Sequence, residues 1–159
     1  MTVDPRTIVQ MLANHELALK QLYQTYALRF AQFKDFWLKL AADEQHHADW
    51  LGSLLTKTGP ANPLAPCCWP RPSAVESSLN YIQEQILRAS RSEVTAMAAL
   101  FIAKDLENAL LEKKFFKVAE GASPEVRAVL GRLVEETEKH WQAVVEALNE
   151  AKRDIPDSV

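Results

Sequence analysis

The chain has 159 residues, with 18 Lys plus Arg against 21 Asp plus Glu and a formal net charge of −3. This length predicts one domain over residues 1–159, and the mild negative charge gives no electrostatic reason to bind nucleic acid or an anionic membrane. The sequence starts MTVDPRTIV, without a basic and apolar leader, and contains no run of about 18 apolar residues. We therefore expect a soluble, cytoplasmic protein with neither a membrane nor a nucleic-acid partner.

The first half of the chain predicts two long helices. Only four glycines occur, whereas Ala, Leu, Glu, Gln and Lys are plentiful, which favours helix over sheet in nearly every window. Asp4 and Pro5 are typical of an N-cap and a first helical residue. Apolar residues at helical spacing carry helix 1 over 5–30, and a second helix follows a short turn over 34–57.

A proline-rich segment separates the two halves. GPANPLAPCCWPRP, residues 59–72, holds five of the eight prolines and cannot continue a helix, so we expect an exposed connection. Cys67 and Cys68 are the only cysteines, and their adjacency suits neither a disulfide framework nor spaced CxxC metal pairs. We interpret them as unreactive loop thiols in a reducing cytoplasm; redox activity or a link between subunits is the weaker alternative.

The second half predicts a short helix and then a second hairpin. A short helix covers 74–89, Ser92 caps a longer helix over 93–119, and Gly121 ends it. Ser123 and Pro124 begin the last helix, over 124–151. Two antiparallel hairpins joined by a long crossover that contains a short extra helix predict an all-α, ferritin-like four-helix bundle.

Five chemically active side chains fall on the inward, apolar faces of the four long helices. A helix turns 100° per residue, and this places the following side chains among buried apolar neighbours: Glu16, Glu44, His47, Glu107 and His140. These residues should also lie at similar heights along the bundle. In an antiparallel hairpin, two residues at equal distances from the turn lie opposite each other. The sequence midpoint of Glu16 and His47 lies in the first predicted turn, and that of Glu107 and His140 lies at 123–124.

The two halves resemble each other around the histidines. LAADEQHHADWL at 40–51 aligns with LVEETEKHWQAV at 133–144, which places His47 on His140 but Glu44 on Thr137. Three carboxylates in a low-dielectric core require protons, buried cations or metal ions to compensate their charge. Carboxylate oxygens combined with imidazole suit iron or manganese, so a metal centre is the simplest explanation.

These segments resemble the rubrerythrin-like branch of the ferritin-like superfamily. The resemblance rests on HELALKQLY, LAADEQHHADWL, AALFIAKDLENALLEKKF and LVEETEKHW, in the order Glu, ExxH, Glu, ExxH. It implies two iron ions that react with peroxide or oxygen, held by Glu16, Glu44, His47, Glu107 and His140. The sixth expected ligand, a bridging glutamate on the last helix, is replaced by Thr137. A second ion more weakly held, or a single ion, is then conceivable, and manganese is also possible.

Simpler explanations exist for several of these residues. Glu16 could form an i,i+4 ion pair with Lys20, and Lys114 could pair less directly with Glu107. Glu136 could replace the missing ligand only if the last helix rotates or bulges, because it lies about 100° from the inward face. His15 and His46 point away from the inward faces, so we expect both on the surface. Tyr23 could hydrogen-bond a ligand carboxylate or carry an electron, although core packing is the simpler role.

The leading hypothesis is a metal-binding redox protein that reduces peroxide or oxidises ferrous iron, with Glu44 bridging and the two histidines terminal. Its electrons would come from an external donor, since the chain has no rubredoxin-like pair of CxxC motifs. The main alternative is a non-catalytic helical bundle that serves as a binding or dimerisation module with a degenerate metal site. An oxygen-activating hydroxylase is a third possibility. The resemblance and the expected exposure of Trp69 favour a homodimer.

Overall fold

The structure, a computed structural model, describes residues 3–57, 64, 69–112 and 122–154. These residues form α-helices without any β-strand, which confirms the predicted all-α class. The helices are α1 (Pro5–Arg29), α2 (Lys34–Lys57), α3 (Pro72–Ser90), α4 (Ala96–Glu112) and α5 (Pro124–Arg153), with a single 3₁₀ turn at Ala31–Phe33 between α1 and α2.

The beginnings of α1 and α5 follow the predicted capping chemistry. The Asp4 side chain accepts a hydrogen bond from the backbone N–H of Arg6 at 3.0 Å, and Pro5 is the first helical residue. Ser123 likewise accepts from the N–H of Val126 at 3.4 Å. Each side-chain oxygen satisfies an N–H that has no partner within its helix, which fixes where the helix begins.

The predicted cap of α4 is wrong. Ser92 has a φ of 58°, and its N–H bonds to the carbonyl of Ala89 while that of Glu93 bonds to Arg88. This pair of bonds is the Schellman motif that closes the preceding helix, so Ser92 terminates α3 instead of starting α4. Thr95 takes the capping role, with Oγ1 accepting from the N–H of Ala98 at 3.1 Å, and α4 begins at Ala96 instead of 93.

The helices pack around one apolar core. The connection between α1 and α2 is so short that the two helices lie against each other along their length, and α3 covers another face of α1. Helix α5 packs against α4 and also contacts α2. The largest core side chains with almost no exposed surface include Leu19, Leu22, Trp37, Leu51, Leu100 and Leu130.

Several predictions fall on residues outside the described part of the chain. These are most of the 59–72 connection with Cys67 and Cys68, the helix beyond Glu112 to position 119, Lys114, and the terminator Gly121. Trp69 is described, and its predicted exposure is wrong, because it is partly buried and packs against the core. None of the described helices is long and apolar enough to cross a membrane.

Candidate metal centre

The structure brings the five predicted ligand residues into the interior. They come from four helices: Glu16 from α1, Glu44 and His47 from α2, Glu107 from α4 and His140 from α5. None of them is more than 3% exposed. Charged side chains are almost never buried to this extent without partners, so a group of five requires a physical explanation.

Glu44 lies between the two histidines. One of its carboxylate oxygens, Oε2, is 2.9 Å from Nδ1 of His47, and the other, Oε1, is 3.0 Å from Nδ1 of His140. The two imidazole rings stack with centroids 5.1 Å apart. One potential ligand atom from each of the three residues lies within 4.8 Å of the others, which is close enough for all three to bind one ion.

Glu107 joins this group from α4. Its Oε1 is 3.7 Å from Nδ1 of His140 and accepts a hydrogen bond of 2.6 Å from the hydroxyl of Tyr23. Tyr23 therefore donates a hydrogen bond to the carboxylate of one of the predicted ligands. Burial, followed by the negative charge of Glu107, raises the pKa of Tyr23 well above its ordinary value, so the phenol is a stable hydrogen-bond donor.

Glu16 completes the group from α1. Neither of its oxygens has a hydrogen-bond partner within the described residues. Burial, followed by the nearby carboxylate of Glu44, raises the pKa of Glu16 well above its usual range. The ion pair with Lys20 that would have explained Glu16 is wrong, because Lys20 donates to Gln45 at 2.7 Å instead.

Without a metal ion, protons must compensate the charge of this cluster. Burial alone would lower the pKa of His140, but the carboxylates of Glu107 and Glu44 outweigh burial and raise the pKa to about 12. Burial and Glu107 raise the pKa of Glu44, whereas burial lowers that of His47. The metal-free centre therefore favours an imidazolium at His140 and a neutral His47, and the raised pKa values of Glu16 and Glu44 make these two carboxyl groups harder to ionise than usual.

The centre also contains buried polar atoms without hydrogen-bond partners in the described chain. His140 Nδ1 and Glu44 Oε1 belong to this set, because they are close but not aligned for a hydrogen bond. Such atoms are costly in a protein interior unless something coordinates them. Mixed carboxylate oxygens and imidazole nitrogens fit iron or manganese. The unpartnered atoms are Glu16 Oε1 and Oε2, Glu44 Oε1, Glu107 Oε2, His47 Nε2 and His140 Nδ1.

Asp43 is a residue of the candidate centre that sequence reasoning missed. Its Oδ2 is 3.2 Å from Nε2 of His140 and 3.1 Å from Nζ of Lys39. Asp43 and Glu44, consecutive on α2, therefore face opposite nitrogens of the same imidazole. A carboxylate on the outer nitrogen orients a histidine that binds metal through its other nitrogen. The only signal in the sequence was the adjacent acid, because the histidine is on a different helix.

The structure also describes Thr137, which stands where the resemblance implies a sixth ligand. Thr137 is buried, and its hydroxyl donates to the carbonyl of Leu133 at 2.7 Å, so the oxygen is already engaged within α5. Glu136 lies to the side, partly exposed and 3.2 Å from Nζ of Lys139. Glu136 does not enter the buried cluster, in agreement with its helical angle.

The two remaining histidines, His15 and His46, differ in their exposure to solvent. His46 is exposed, as predicted. His15 is buried with only 1% exposure, and its Nε2 is 2.8 Å from Oγ of Ser78, so its predicted surface position is wrong. The reason is that α3 packs against α1 on a face other than the one that contains Glu16.

Comparison of the chain with models of known families, with curated proteins and with solved structures gives no match.

Proposed function

We propose that the chain is a metal-binding redox protein of rubrerythrin-like type, which reduces peroxide or oxidises ferrous iron. In this proposal α1, α2, α4 and α5 form a ferritin-like four-helix bundle, and α3 belongs to the crossover between its halves. The convergence of three carboxylates and two imidazoles from these four helices supports the proposal.

The central observation is the position of Glu44 between His47 and His140, at 2.9 and 3.0 Å. A carboxylate with one imidazole near each oxygen is suited to bridge two ions, each bound by one histidine. Glu16 would be the further ligand beside His47, and Glu107 the further ligand beside His140. Bound iron, or iron with manganese, would supply the electron-transfer chemistry.

The protein's own groups would hold and shield this centre. Tyr23 fixes one oxygen of Glu107, which leaves Oε2 of that carboxylate available. Asp43 orients His140 through Nε2, so that Nδ1 faces Glu44. Leu19, Leu51 and Leu100 are fully buried on the same helices as four of the ligands and would limit the access of water. The electrons for repeated turnover would come from an external donor.

Metal analysis combined with a turnover assay tests this function. Protein isolated from iron-supplemented cells is analysed for iron and manganese, and peroxide consumption is measured with a reduced artificial electron donor. A content above about half an ion per chain together with peroxide consumption would support the proposal. Glu44→Ala should lose both properties, whereas Glu135→Ala, an exposed position on α5, should retain them.

Thr137 favours the second candidate, a non-catalytic bundle with a degenerate metal site. The buried hydroxyl cannot replace a bridging carboxylate, and its bond to Leu133 keeps it within α5. An imidazolium at His140 could also compensate part of the carboxylate charge without metal. Protein that contains almost no metal after growth in supplemented medium, and remains folded, would favour this candidate.

A further inference from the structure

A surface cavity lies directly beside the buried cluster. It has a volume of about 160 Å³ and is bounded by side chains of α2 and α5. Four of the side chains that line it are of types that bind metal ions. The lining residues are Asp43, His46, His47, Trp50, Arg132 and Glu136.

His47 separates this cavity from the centre. Its Nδ1 faces Glu44 at 2.9 Å, so Nε2 lies on the far side of the ring from Glu44. Nε2 is buried and has no hydrogen-bond partner within the described residues, while the ring itself lines the cavity. One imidazole therefore contacts the interior cluster through Nδ1, lines the cavity with its ring, and keeps a second, buried nitrogen without a hydrogen-bond partner in the described chain.

We propose that this cavity is a transit site through which a divalent transition-metal ion enters the buried centre, with His46 and Glu136 as its first ligands. The proposal rests on the metal-binding function proposed above. His46 is exposed and Glu136 partly exposed, so both are accessible to a hydrated ion. From there, Asp43 and the unpartnered nitrogen of His47 lead to Glu44 and His140.

The charges around the cavity are compatible with transient binding of a cation. Asp43 is paired with Lys39 and Glu136 with Lys139, at 3.1 and 3.2 Å. The two lysine side chains are 77% and 69% exposed, and such solvated ion pairs are weak enough for a divalent ion to displace. The guanidinium of Arg132 lies over the ring of Trp50, 4.1 Å from its centroid.

Two larger cavities in the described part of the molecule have none of the candidate ligands in their lining. One of about 570 Å³ lies beside Thr95 and Met97, and one of about 360 Å³ lies beside Arg6 and Gln10. The smaller cavity at His47 is therefore the better route for an ion.

The rate of manganese loading tests the proposal. Mn²⁺ is mixed with metal-free, full-length protein, and loss of the free-ion electron paramagnetic resonance signal is followed over time. The double variant His46→Ala, Glu136→Gln should load about tenfold more slowly, with the same final stoichiometry, because the local concentration of cations is lower. Glu135→Gln, which removes an exposed charge on α5 away from the cavity, should load at the wild-type rate. Lys139→Gln should load faster, since it removes the cation that competes for Glu136.

The loading rate and the final stoichiometry together distinguish failure of the transit site from failure of the proposed metal-binding function. Wild-type loading rates in the double variant would overturn the transit site while leaving the metal-binding function intact. A lower final stoichiometry would also overturn it, because His46 and Glu136 would then be resident ligands. If the wild-type protein binds no Mn²⁺ and no ferrous iron at equilibrium, the proposed function fails and the transit site fails with it. Lys139→Gln keeps the test decisive even if the double variant does not fold.

Discussion

The hydroxyl of Tyr23 on α1 donates a 2.6 Å hydrogen bond to the carboxylate of Glu107 on α4, and neither residue has measurable exposed surface. This bond links two helices that are distant in the sequence. It also decides which oxygen of Glu107 stays without a hydrogen-bond partner in the described chain, namely Oε2. The tyrosine ring stacks on Trp37 at 5.5 Å, which fixes the position of the donor.

Tyr23→Phe should lower the free energy of unfolding of the metal-free protein by about 1–3 kcal/mol, because it leaves a buried carboxylate oxygen without its donor. Chemical denaturation of the wild type and the variant measures this change. Tyr26→Phe is the matched control, since the Tyr26 hydroxyl is buried but has no hydrogen-bond partner within the described residues. That control should be neutral or slightly stabilising. Equal losses in the two variants would show that packing, and not the bond to Glu107, is responsible.

Glu16→Leu should stabilise the metal-free protein and weaken metal binding. The carboxylate is fully buried and unpartnered, so an apolar side chain of similar size should raise the free energy of unfolding by about 1–3 kcal/mol. Thermal melts after treatment with a chelator measure the stability, and equilibrium titration with Mn²⁺ measures the binding. Glu138→Leu, at an exposed position of α5, should show no such gain. A destabilised Glu16→Leu protein would argue that Glu16 has a compensating partner.

Thr137→Glu should increase the amount of metal that the protein binds. The position is 1% exposed and lies one turn before His140 on the inward face of α5, where a bridging carboxylate is expected. The variant should bind more metal per chain than the wild type, up to about two ions, and its peroxide-dependent activity should increase. Its metal-free form should be less stable, since it buries another carboxylate. Thr137→Val controls for loss of the hydroxyl, and an unchanged metal content in Thr137→Glu would show that this part of α5 is not directed at the ions.

The metal-free protein should become less stable as pH rises from 6.5 to about 9. The pKa of His140 is raised from 6.5 to about 12, so its stabilising contribution is complete below pH 6.5 and is lost as pH rises. The pKa values of Glu16 and Glu44 are raised from 4.5, and loss of their protons at higher pH acts in the same direction. The lowered pKa of His47 acts below pH 6.5, outside this window.

Thermal melts across that pH range, with and without Mn²⁺, measure the effect. Bound metal replaces protons on the ligands, so the rise in melting temperature produced by Mn²⁺ should grow with pH. His140→Gln should have a flatter profile than the wild type in the metal-free state. A wild-type stability that increases from pH 6.5 to 9 would contradict the arrangement of charges described here.

Local sequence patterns correctly predicted the helix starts that are fixed by hydrogen bonds between neighbouring residues. Asp4 and Ser123 were recognisable as caps because each bonds an N–H only two or three residues away. Ser92 was predicted to cap α4, whereas Thr95, three residues further along, takes that role in the structure. The choice between them depended on how α3 ends, with Ser92 in a left-handed conformation that sequence gives no reason to expect outside glycine or asparagine.

The candidate site likewise combines features of single helices, which could be predicted, with contacts between distant residues, which could not. Helical angles predicted the burial of its five residues, because an inward face is a property of each helix separately. The contact of Asp43 with His140 and that of His15 with Ser78 join residues 97 and 63 positions apart, which no local pattern encodes. His15 shares its face of α1 with the buried residues Ile8, Leu22 and Tyr26, so the helical pattern does indicate its burial, although its contact with Ser78 is not local.

The distribution of the cluster over α1, α2, α4 and α5 has a consequence for biosynthesis. Its side chains extend from Glu16 on α1 to His140 on α5, so an ion bound there would close a long chain loop and restrict the unfolded ensemble much as a cross-link does. A nascent chain that has not yet released α5 from the ribosome lacks His140 and cannot complete this loop. Capture of the ion would therefore be a late event that follows translation of the last helix.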